Sequence, residues 1–274
     1  MQSMLKSLTQ STLREQFDRL QREALSEDAN SLIAHGCKVF SQSDEDGIVQ
    51  EIFRRIGVTN KTFVEFGVGN GLENNSNVLL FDGWRGLWIE ASKRSVSVIQ
   101  KEYSAIIHAG QLTVVEAFIT RDNINSLIAE NFDASEIDML SIDIDGNDYH
   151  VLEAISCINP RLIVLEYNAK FVPPIEYCMD YDDSGSWSHD DCFGASIKFL
   201  ENRLRIRGYR LVGCGLTGLN CFFVRSDLVD GAFTPPYTSE HLYQPARYYL
   251  RRLESGHASA YRTLIKSRHA NSSS

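Results

Sequence analysis

Apolar and polar residues alternate along this chain with a period that keeps switching between two values. Short apolar runs of strand length recur at 62–66 (Thr-Phe-Val-Glu-Phe), 86–90, 112–118, 138–143 and 161–166. Between them, near 77–81, 93–101, 123–130 and 149–155, apolar residues fall at helical spacing. Strands alternating with helices in this way predict βαβ units, and so a parallel sheet wound on both faces. A long polar loop and a helix near 195–207 follow. The last two apolar runs, 209–214 and 220–225, are joined only by Gly215-Leu216-Thr217-Gly218-Leu219. That spacing predicts a β-hairpin rather than a further βαβ unit. The expected fold is therefore a doubly wound α/β sheet of seven strands closed by an antiparallel hairpin.

The ends differ from this core. Up to about residue 29 the chain reads as a charged amphipathic helix with Leu13, Phe17 and Leu20 on one face. Such a face serves packing or pairing with a second copy, so a homo-oligomer through this helix is one expectation. A second helix follows Ser43-Asp44-Glu45-Asp46 and buries Ile48, Val49, Ile52 and Phe53. Ser43 with Asp46 fits the Ser/Thr-x-x-Asp/Glu helix start, which is the plainer reading of these acids. The division expected is a helical N-terminal extension (1–38), one α/β domain (39–230) and a basic helical C-terminal extension (231–274).

Composition narrows the class. The 274 residues carry a formal net charge of −9, which argues against a general nucleic-acid binder. From His241 onward six basic residues face one acid, Glu254; the tail is a solvated helix face or a contact for an anionic surface such as a membrane. The six cysteines contain no C-x-x-C pair and read as reduced thiols in a cytoplasmic protein. No apolar run reaches the roughly 18–20 residues of a membrane span.

The most informative motif is Glu65-Phe66-Gly67-Val68-Gly69-Asn70-Gly71. A strand that ends in a glycine-rich turn lets backbone N–H groups approach a nucleotide-like ligand. The dinucleotide pattern G-x-G-x-x-G would need its third glycine at position 72, which is Leu. Here the third glycine comes one residue early and an acid precedes the first. E-x-G-x-G-x-G resembles motif I of class I S-adenosylmethionine (SAM) methyltransferases, and the terminal hairpin resembles the end of their sheet. An NAD(P)-dependent oxidoreductase is the alternative enzyme, and a methyltransferase-like binding module without activity the non-enzyme one. Glu90, about 20 residues on at the end of the second strand, suits a ribose diol. The resemblance implies cofactor contacts from Glu65, Gly67, Gly69, Gly71, Glu90, Ala91, Ser92 and Asp143. It also implies adenine contact near Thr120-Arg121-Asp122.

The fourth strand exits into Ser141-Ile142-Asp143-Ile144-Asp145-Gly146-Asn147-Asp148-Tyr149. Ligands of open α/β sheets bind beyond the carboxyl ends of strands, and clustered aspartates there suit a sulfonium or a divalent metal. The plainer reading is that Asn147 and Asp148 start a helix. D-x-D-G-x-D resembles the D-x-E-G-x-E of FkbM-type O-methyltransferases, as do FSQSDEDG (40–47), GYRLVGC and NCFFVRSDL. The resemblance spans roughly 39–228 and implies methyl transfer from SAM to a hydroxyl of a sugar or glycosylated metabolite. Related sugar O-methyltransferases hold Mg²⁺ with acids after the fourth and fifth strands. Carried over, Asp145 and Glu166 are the metal ligands, with Asn168 a third; Glu166-Tyr167-Asn168 lacks the adjacent acid pair of the metal-dependent group. Asp143, Asp145 and Asp148 are the candidate bases or ligands, with His189 an outside candidate. The loop 172–193 is the expected acceptor site, for a small molecule or glycan. It carries six acids, no Lys or Arg, and the aromatics Tyr177, Tyr181, Trp187 and Phe193.

Overall fold

The computed structural model describes residues 2–183, 191 and 193–252. Its centre is one sheet built from β1 (Thr62–Phe66), β2 (Arg85–Glu90), β3 (Leu112–Glu116), β4 (Glu136–Ile142), β5 (Asn159–Glu166), β6 (Tyr209–Cys214) and β7 (Asn220–Arg225). The order is β3-β2-β1-β4-β5-β7-β6. The first five strands are parallel; β7 enters antiparallel between β5 and β6. This is the seven-stranded, Rossmann-like methyltransferase sheet with its antiparallel hairpin. The expected third strand was longer. It ends at Glu116, opposite Glu90, and Phe118 turns out to 48 % exposure.

All five residues of β1 are buried, because helices cover both faces of the sheet. Alternate side chains then feed two separate cores. Val64 and Phe66 pack with Leu87, Leu140 and Ile163 on one face; Phe63 packs with Trp88, Met139 and Phe222 on the other. The first core is covered by α6 (Ile124–Asn131), α7 (Asp148–Ala154) and α8 (Ile197–Ile206). The second is covered by α2 (Glu45–Ile56), α3 (Asn77–Phe81), α4 (Lys93–Glu102) and α5 (Ser104–His108). The five-residue α5 is too short to show a period and went unread in the sequence. Ser92 and Ser196 cap α4 and α8, their hydroxyls accepting from Ser95 and Phe199 N–H.

α1 (Gln2–Glu27) uses its apolar face within the chain. Phe17 is buried against Ile33, Leu216 and Leu250, with Leu13 and Leu20 beside it. Gln21 Nε2 donates to the carbonyls of Ile33 and Gly36. The start of α2 corrects the capping expectation. Asp44, not Ser43, occupies the N-cap position and neither caps through its side chain. The short α9 (Ser239–Leu242) docks near α8, where Ser239 donates twice to Glu201 Oε2. Among the described residues no helix is long and apolar enough to cross a membrane.

Candidate active site

The strand order reverses between β1 and β4, since β1 has β2 on one side and β4 on the other. A crevice opens at the carboxyl ends of strands where this happens. Gly67 follows β1 there with φ 71°, and a Cβ on it would sit 1.6 Å from the Asp143 carbonyl oxygen. The two strand ends therefore approach as closely as they do only because residue 67 is glycine. Gly69 differs: a Cβ there would meet nothing within 4 Å, and its N–H donates to Glu90 Oε2 at 2.7 Å. Gly71 faces inward, where a Cβ would press on Trp88, Ile99 and Tyr103. It is placed as a packing residue rather than a cofactor contact.

Two adjoining cavities share Gly67, Gly69 and Asp143. The larger, about 480 Å³, runs between the ends of β2, β3 and β4 and includes Ile89, Glu90, Ala91, Phe118 and Asn147 in its walls. Glu90 lines it, with Oε1 accepting from Ser92 N–H and Oε2 from Gly69 N–H. Ser92 thus serves the site through Glu90 and through the α4 cap, and is absent from the cavity wall.

The smaller cavity, about 230 Å³, is polar. Gln42, Glu65, Asn70, Glu73, Asn74, Asn75, Asp143 and Asn220 line it, without a basic or aromatic side chain. Glu65 accepts from Asn75 N–H, Ser76 N–H and the Ser76 hydroxyl, which pins the turn after the glycines to β1. Burial raises its carboxyl above the usual range, against those hydrogen bonds. Asn74 is 5 % exposed and its Nδ2 has no protein partner.

One carboxylate oxygen from each of Asp143, which lines both cavities, Asp145, which lines the larger, and Glu166 lies within 4.8 Å of the others. Asp145 is the exposed member and holds φ 57°, a left-handed conformation that Asp tolerates better than most residues. Asp148 explains how it stays there. Its Oδ1 accepts from Ile144 N–H and its Oδ2 from Gly146 N–H, both at 2.9 Å, gripping the backbone on either side of Asp145. Asp148 is buried and both its oxygens are engaged, so it shapes the loop rather than offering a base. Asp143 has its carboxyl pushed well above the usual range by burial, then by the charges of Asp148, Asp145 and Glu65. Asn168 is the other correction. Its Nδ2 donates to the carbonyls of Asp191 and Phe193 and its Oδ1 accepts from Lys170 N–H, so the buried amide fastens the loop base instead of completing a ligand set.

The described part of the long loop touches two segments that border the larger cavity. Asn147, on one wall, donates to Asp182 O at 2.6 Å and accepts from Asp182 N–H at 3.1 Å. On the other side Arg121 stacks over the Tyr181 ring at 4.3 Å, two residues past Ile119 in the cavity wall. Residues 181–182 are thus tied to the loop after β4 on one side and to the segment after β3 on the other. His189, Trp187 and Asp190 lie outside the described residues, as does the chain beyond residue 252. Reading the sequence missed Gln42, Asn74, Asn147, Asn220 and Phe118. The run Glu73-Asn74-Asn75 directly after the glycine turn was the one local signal available.

Among solved structures, a Staphylococcus aureus protein that bears the provisional name caffeoyl-CoA O-methyltransferase is 16% identical, with a TM-score of 0.47 over 80% of this chain and 99% of that one. The O-methyltransferase from Bacillus cereus, solved with SAH, is 17% identical with a TM-score of 0.44, covering 78% of this chain and 89% of its own. No curated protein sequence matches. The family is settled by residues 58–211, more than half of the chain, which match the methyltransferase FkbM domain. The chain belongs to the FkbM family of class I SAM-dependent methyltransferases.

Proposed function

We propose that the protein moves a methyl group from SAM to a hydroxyl of a carbohydrate or glycosylated metabolite. The observation that carries this is the carboxylate set Asp143, Asp145 and Glu166, in which Asp143 lines both cavities and Asp145 the larger. The cavities fit the cofactor's two halves. Glu90, already oriented by two backbone N–H groups, offers acceptor lone pairs to a ribose diol, and the exposed Phe118 ring offers a face to a base. The smaller cavity has acceptors for an ammonium and the free Asn74 donor for a carboxylate. Bound there, SAM supplies an activated methyl group.

The residues' own task is to make a poor nucleophile attack in line. A sugar hydroxyl needs a base, worth about 10²–10⁴-fold, or a cation that lowers its pKa. Asp143, with its raised carboxyl, and Asp145, open to the cavity, stand where the hydroxyl proton must leave. The same three carboxylates are hard oxygen donors and would hold Mg²⁺ or a similar ion. The acceptor's place is the acidic, aromatic loop 172–193, whose rings stack on sugar faces while carboxylates take hydroxyl donors. We place the protein in the cytoplasm, where the buried Cys214 and Cys221 remain thiols.

Thermal shift with SAM, S-adenosylhomocysteine, NAD and NADP tests the cofactor: the first two stabilise and the others do not. Stabilisation by NAD alone would overturn the reading in favour of an oxidoreductase. A sugar-acceptor methylation assay before and after thorough chelation tests the metal. Full activity after chelation removes it and leaves Asp143 and Asp145 as bases. Cofactor binding with unaffected function in an Asp143→Asn/Asp145→Asn double variant would point to a binding module.

A further inference from the structure

We infer that Glu45 is a positioning residue for the cofactor's amino-acid end, acting through Asn220, and that Asn74 is a second contact for that end in the same cavity. This rests on the SAM reading above. Glu45 and Asn220 fall outside the matched segment 58–211, and Asn74 lies within it.

Glu45 is fully buried at the start of α2. Its Oε2 accepts from Ser43 N–H at 2.8 Å and its Oε1 from Asn220 Nδ2 at 3.0 Å. Asp44, its neighbour, accepts from Leu216 N–H at 2.8 Å. The two acids thus clamp the β6–β7 turn from both ends. Asn220 opens β7 opposite Glu166 and lines the smaller cavity together with Gln42. A side-chain amide that donates its nitrogen to Glu45 presents its carbonyl oxygen elsewhere, and the cavity is what it borders. Glu45 therefore decides that Asn220 meets the ligand as an acceptor.

The rest of the wall has the same sense. Glu65, Glu73 and Asp143 are acceptors, and among the described wall residues none is basic, although Lys38 Nζ pairs with Glu73 Oε1 at 3.5 Å. Asn75 already donates to Ser141 Oγ, and Asn70 Oδ1 accepts from Leu72 N–H. Asn74 Nδ2 is the buried donor left without a protein partner. A buried donor without a partner is costly, and a ligand carboxylate oxygen relieves it. Several acceptors and a buried donor without a protein partner on one cavity wall match a zwitterionic α-amino acid: ammonium to the carboxylates and Asn220, carboxylate to Asn74.

The test compares S-adenosylhomocysteine with 5′-methylthioadenosine, which has the nucleoside but lacks the amino-acid end. Calorimetric affinities are measured for wild type, Glu45→Ala, Glu45→Gln, Asn220→Ala and Asn74→Ala. Glu45→Ala, Asn220→Ala and Asn74→Ala should each weaken S-adenosylhomocysteine by roughly tenfold or more and leave methylthioadenosine within about twofold. Glu45→Gln keeps one acceptor oxygen but sets its amide nitrogen against either Ser43 N–H or Asn220 Nδ2, so it should weaken S-adenosylhomocysteine selectively as well, by less than Glu45→Ala. Equal losses for both ligands, or unchanged S-adenosylhomocysteine affinity, would overturn the inference while leaving the SAM reading intact. If Glu45→Ala does not fold, the same two-ligand comparison in Asn220→Ala and Asn74→Ala decides the matter. Failure of the wild-type protein to bind S-adenosylhomocysteine would overturn the SAM reading itself, and this inference with it.

Discussion

Two acidic segments of this chain have the same ingredients and different fates. Ser43-Asp44-Glu45-Asp46-Gly47 and Asp143-Ile144-Asp145-Gly146-Asn147-Asp148 each place three acids and a glycine beside the first turn of a helix. In both, the last acid folds back on the preceding backbone. Asp46 Oδ2 accepts from Val39, Phe40 and Ser41 N–H and the Ser41 hydroxyl; Asp148 accepts from Ile144 and Gly146 N–H. The first two acids part company. Asp44 and Glu45 are fully buried and matched to donors from the β6–β7 turn and its flank. Asp143 and Asp145 line a cavity, with a Glu166 carboxylate oxygen within 4.8 Å of theirs. Clustered acids are thus structural where donors meet them and chemical where they meet open space, and the sequence of either segment alone does not separate the two.

The strongest way to break this comparison is activity. Asp145→Asn should lower kcat by about 10²–10⁴ and move the melting temperature little, because the side chain is exposed. A stability loss without a loss of turnover would put Asp145 in the same class as Asp46. Next comes stability. Asp46→Ala leaves three backbone N–H groups without their carboxylate, at about 1–3 kcal/mol for each that water does not reach. Urea unfolding should show a loss of about 3 kcal/mol or more, and a loss below about 1 kcal/mol would refute the structural role. Asp148→Ala strands two such groups. It should cost less stability but lower kcat as well, since it releases the backbone around Asp145.

The last test concerns pH. Burial, followed by the charge of Glu45, pushes the Asp44 carboxyl up to about 7. An acid whose folded pKa is raised binds more protons folded than unfolded, so its contribution to stability falls as pH rises from its unfolded value near 4 to about 7. Asp44→Asn removes that titration. Its stability relative to wild type should rise across this window by at most about 4 kcal/mol, at about 1.4 kcal/mol per pKa unit, and stay flat above it. A difference that does not change between pH 4 and 7 would show that Asp44 titrates normally.

The core strands were readable because a sheet covered on both faces demands continuous apolar runs, and β1, β6 and β7 fall where those runs do. Errors came where a partner decides the ending. β3 stops where Glu90 stops pairing with it, and nothing within 112–118 announces that. Ser43 looks like a cap, yet its hydroxyl donates to Asp44 Oδ1. Asn168 looks like a ligand by position, yet carbonyls more than twenty residues away take its amide. Gly67 and Gly71 are alike in the motif and differ only in what lies against each, a strand end or an aromatic core.

By itself the sequence determined the alternation of strand and helix, the closing hairpin, the glycine turn and the acid at position 90. All depend on local period or spacing, which a chain carries wherever it folds. The tertiary structure decided which acids are buried and paired, that Asn74 keeps a free donor, and that Glu45 reaches Asn220 across 175 residues. Desolvation and hydrogen-bond partners fix those outcomes, and both come from segments that only folding brings together.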